Sequence, residues 1–215
     1  MSDFSTGFFS TNENKEKIYP YLIENELLIQ YNDAWVGKLS ATDWEEQPQP
    51  QNLALSNEVP LLYVMHAEDH GFSMEILHEE KVKFHFDVSY EVGVKLYTEI
   101  GIELYGSNWW LDVNKRGERH KQIREAWVKQ LEQQNVLDDF FSHINLESLS
   151  AFHLFGISEE SILEINEILT IKNCAQDSHE MVHALLDCIG LKQFSFVGYD
   201  YVTGGNDDRF TILNS

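Results

Sequence analysis

Residues 60–90 read PLLYVMHAEDHGFSMEILHEEKVKFHFDVSY, and the fold is decided there. Apolar and polar side chains alternate three times along this stretch, the period of half-buried strands. The pattern predicts three antiparallel strands, Leu61–His66, Phe72–His78 and Val82–Tyr90, turning at Asp69-His70 and at Glu79–Lys81. In the register those turns imply, Leu61, Tyr63, Met65, Phe72, Met74, Ile76, Val82, Phe84, Phe86 and Val88 share one buried face. The opposite face is polar. His66, Ser73 and Asp87 form one cross-strand row there, and Val64, Glu75 and His85 form the next.

Upstream, Thr6–Ser10 reads as a short strand and Asn14–Glu24 as a helix. Leu27–Gln30 and Ala34–Leu39 read as two more strands joined at Asn32-Asp33, while Asp43–Glu58, with its QPQPQ run, reads as an extended surface loop. Downstream of Glu91 the period changes. Val92, Leu96, Ile100 and Leu104 recur every four residues, and Lys115–Gln134 carries Ile123, Trp127 and Leu131 on one side. Leu137–His143, Leu146–Leu154, Glu159–Leu169 and Asp177–Gly190 follow as helices, with Ser158 as a cap and Gly190 as a stop. Aromatic alternation from Phe194 to Val202 predicts a last strand near 194–202 that returns to the sheet.

The class expected is therefore α+β. An antiparallel sheet comes mainly from the N-terminal half (1–92), a helical half (93–192) packs against it, and 193–215 form a closing strand and tail, all in one domain. No internal repeat or linker divides the 215 residues.

Thirty-six Asp and Glu stand against 15 Lys and Arg, a net charge of −21. At 43% hydrophobic residues the chain has ample material for a core. Such a charge repels nucleic acid and anionic membranes and favours a basic protein partner. Cys174 and Cys188 form no C-x-x-C pair and suit buried thiols in a reducing compartment. The N-terminal stretch lacks a basic start followed by an apolar core, so no secretory signal is expected. No apolar run approaches spanning length, and a cytoplasmic location follows.

One string carries a defined mechanism. Residues 179–183 read HEMVH, the H-E-x-x-H pattern of zinc peptidases, in which His179 and His183 share a zinc ion and Glu180 activates its water. A third ligand is harder to find. No glutamate follows Glu180, and the remaining acids are Asp187, Asp200, Asp207 and Asp208, with Asp187 nearest. On a helical projection Met181, Val182, Leu185, Leu186 and Ile189 make the buried stripe, which leaves His179, His183 and Asp187 on its polar edge. Glu180 also suits a capping box opened by Asp177.

Other constellations are weaker. Ser73 with His66 and Asp87 resembles a hydrolase triad, but a relay needs histidine between the other two, and a flat strand offers no oxyanion hole. With Glu75 and His85 these residues make a polar patch on the sheet. His66, Glu68, Asp69 and His70 crowd a hairpin tip, where Gly71 suits a tight turn. The basic run Lys115–Lys129 interleaves Glu118, Glu125 and Glu132 at helical spacing, which favours pairing within the chain over an anionic ligand. No phosphate loop, dinucleotide fingerprint or G-x-S-x-G elbow is present.

Three functions are expected from this reading. The first is a non-catalytic acidic recognition module, of inhibitor or immunity type, that covers a basic protein and needs no cofactor. The second is a zinc-dependent hydrolase on the HEMVH helix. The third is a small-molecule binder with a pocket between sheet and helices lined by Trp109, Trp110 and Trp127.

Overall fold

A computed structural model describes residues 4–41, 50–67, 70–109, 116–134, 141–195, 197–204 and 209–213. Seven described strands form one antiparallel sheet: β1 (Phe4–Thr11), β2 (Glu26–Gln30), β3 (Trp35–Ser40), β4 (Leu61–Ala67), β5 (Gly71–His78), β6 (Lys81–Ser89) and β7 (Thr211–Ile212). Their order is β6-β5-β4-β1-β3-β2-β7. The fold is α+β.

The three strands of residues 60–90 are present, but their first pairing is shifted by one residue from the expected register. Ala67 pairs with Gly71, so three residues close the hairpin, and His66 faces Phe72 instead of Ser73. A one-residue slip moves every side chain of a strand to the other face. Leu62, Val64 and His66 therefore join Ile76, Met74 and Phe72 on the helix-facing side, and Leu61, Tyr63 and Met65 turn away. Gly71 makes this turn practicable, because a Cβ there would lie 2.4 Å from the Val88 carbonyl oxygen. Between β5 and β6 the expected pairs Ser73–Asp87 and Glu75–His85 are both found. The register changes after Ile76, which brings Val82 opposite Leu77, and Val82 is 53% exposed instead of buried. Glu79 and Glu80 both adopt positive φ, 55° and 56°, as a two-residue hairpin turn requires. Ser56 holds them there: its carbonyl accepts from the Glu79 amide (2.8 Å) and its hydroxyl from the Glu80 amide (3.0 Å).

Each face of the sheet has its own core. One face presents Phe9, Ile29, Leu39, Val64, Met74 and Phe86 to the helical half. The other packs Phe8, Leu28, Val36, Leu61 and Leu77 against Ile18, Leu55 and Val59. Ile18 ends a short helix, α1 (Lys15–Ile18), which 3₁₀ turns flank at 12–14 and 19–21, so the helix expected over 14–24 is broken up near Pro20. Leu55 and buried Asn52 belong to α2 (Pro50–Leu55), where a surface loop was expected. Residues 42–49 lie outside the described residues.

The helical half runs α3 (Tyr90–Tyr105), α4 (Arg116–Gln134), α5 (Leu146–Leu149) continuing as a 3₁₀ turn over 150–155, α6 (Glu159–Ile168), α7 (Ile171–Cys188) and α8 (Tyr199–Gly204). The expected strand near 194–202 is not formed. Phe194 and Val197 are buried in a non-strand segment and Tyr199 begins α8, while the strand that returns to the sheet is β7, Ile212 against Ile29. Trp35 and Tyr31 tie the β2–β3 hairpin to this half, donating to the carbonyls of Ile189 (3.0 Å) and Lys192 (2.6 Å).

Candidate functional site

The HEMVH helix faces as its periodicity predicts. Met181, Val182, Leu185, Leu186 and Ile189 are buried, whereas His179, Glu180, His183 and Asp187 are exposed. α7 is two helices joined at Asp177, whose extended backbone (φ −161°, ψ 102°) breaks the first. Its carboxylate then caps the second, accepting from the Glu180 amide at 3.0 Å. Glu180 thus sits in the first turn of the capped segment.

The shifted β4 register brings a third histidine to this helix, a neighbour the expected register placed on the far face. His66, 4% exposed, meets His183 edge to face with ring centroids 5.7 Å apart. Tyr90 stands 6.1 Å from His66 and stacks on His179 at 3.9 Å. The Tyr90 hydroxyl is buried with no hydrogen-bond partner among the described residues. Burial raises its pKa, and the nearby Cys174 and Asp177 add to the shift. Among the described residues no three His, Cys, Asp or Glu side chains form a group able to hold a metal ion. As arranged, the cluster is an aromatic contact between helix and sheet.

Ser73, Glu75, His85 and Asp87 share the outer face of β5 and β6. The His85 ring lies between two carboxylates, with Nδ1 3.0 Å from Glu75 Oε1 and Nε2 2.6 Å from Asp87 Oδ2. Both nitrogens are spent on acids, and Ser73 stands opposite Asp87, so no ring nitrogen is left to take a serine proton. His66 is absent from this face, which removes it from the expected row.

Trp109 and Trp127 belong to a small packed cluster. Trp109, 7% exposed, packs with Ile100 and Ile123 between α3 and α4, and Trp127 packs against the same cluster. A Cβ on Gly101 would meet the Trp109 ring at 2.5 Å, which leaves no room between ring and helix. Trp110 lies outside the described residues, as do Glu68 and Asp69 of the hairpin tip. In the basic run, Arg119 donates to the Trp109 carbonyl (2.8 Å) and lies over the Tyr105 ring.

The described surface is strongly one-signed in one region. Between Leu146 and Leu191 the chain holds Glu147, Glu159, Glu160, Glu164, Glu167, Asp177, Glu180 and Asp187 against the single cation Lys172. All eight acids are exposed. α6 and α7 pack together, with the Cys188 thiol 3.6 Å from Glu164 Oε2, so the acids lie on neighbouring helices. Leu154 and Leu163 are also exposed on this segment, at 38% and 48%. Overall charge signals an acidic protein, and the described surface between Leu146 and Leu191 carries eight of its acids exposed.

No family model, curated protein or solved structure matches the chain. No helix among the described residues is long and apolar enough to cross a membrane.

Proposed function

We propose that this protein is a non-catalytic recognition module that covers a basic protein partner through the acidic face of α5–α7. The concentration of eight exposed carboxylates and one lysine over residues 146–191 carries the reading. Such a field steers a cationic partner and favours it over neutral surfaces. Exposed Leu154 and Leu163 offer the apolar contacts that a purely charged surface lacks. Two free cysteines suit a reducing cytoplasm, and the charge disfavours nucleic acid and membrane surfaces as partners.

Affinity capture from the source cell's extract, washed at about 50 mM and about 500 mM salt, tests the proposal. Specific partners are expected to be basic, to be retained at low salt and released at high salt, and to be lost when Glu160, Glu164 and Glu167 are changed together to lysine. Retention indifferent to salt and to charge reversal overturns it.

A further inference from the structure

We draw no further inference here: the strongest candidate, the side-chain cluster in which His66 of β4 and Tyr90 of α3 meet His179 and His183 of α7, belongs to the site already described and, among the described residues, gathers no three side chains able to hold a metal ion.

Discussion

Lys38 takes a positive charge into the second core, where its ammonium bonds Glu26 and also donates to Asn52 Oδ1 at 2.9 Å. Glu26 in turn accepts from the Ile23 amide at 2.9 Å. A buried pair gains little over apolar residues of the same size, but breaking it strands a charge. Lys38→Met alone should therefore cost about 3–5 kcal/mol in urea unfolding. Lys38→Met with Glu26→Leu should recover most of that loss, and a double variant as unstable as the single one would contradict the argument. Nothing local marks Lys38 as buried, because its neighbours in sequence are ordinary strand residues. His66 is a similar case. Its number parity puts it on one face or the other only once the hairpin loop is fixed, and that loop holds three residues where the turn signal suggested two.

Among elements, the helix over residues 177–188 is the most fully foretold. Its apolar stripe, its polar edge and its Asp177 cap all follow from spacing, since a helix exposes one face per 3.6 residues whatever packs on it. Asp177→Ala should destabilise the protein by about 0.5–2 kcal/mol, read by thermal or urea unfolding, while Asp177→Asn or Asp177→Ser should retain most of the stability. A neutral alanine variant would mean that the packing of α6 alone fixes the break. Strands were legible as elements but less so in register. The β5–β6 pairs were found although the turn expected over Glu79–Lys81 is a two-residue turn at Glu79-Glu80, because a bulge after Ile76 restores the count, whereas that bulge, which exposes Val82, and the helix over 50–55 left no period long enough to read.

Across the whole molecule, buried titratable groups set the behaviour at high pH. Burial pushes the Cys174 thiol from 9.0 up to about 12, and burial together with the Glu164 carboxylate pushes Cys188 up to about 11. Burial also raises Tyr31 and Tyr90 above the usual phenol range. Each folded-state value lies above its unfolded one, so the stability these groups contribute is complete below about pH 9 and is lost as pH rises further. The unfolded chain releases protons there that the folded chain keeps. The urea midpoint should fall steadily from pH 9 to pH 12, and Cys174→Ala should flatten the fall. A midpoint constant over that range would contradict the burial of these groups.

What the sequence by itself determined is what depends on composition and local period: the α+β class, the excess of acid, the strands of residues 60–90 and the buried stripe of the HEMVH helix. Tertiary structure decided which strand faces turn inward and where His66 and Lys38 end up. It also opened a cavity between β1 and α8, whose lining comes from residues about 200 positions apart. A period of two or 3.6 residues is a local property of the backbone. A register, a buried partner and a shared surface are relations between distant segments, and only packing fixes those.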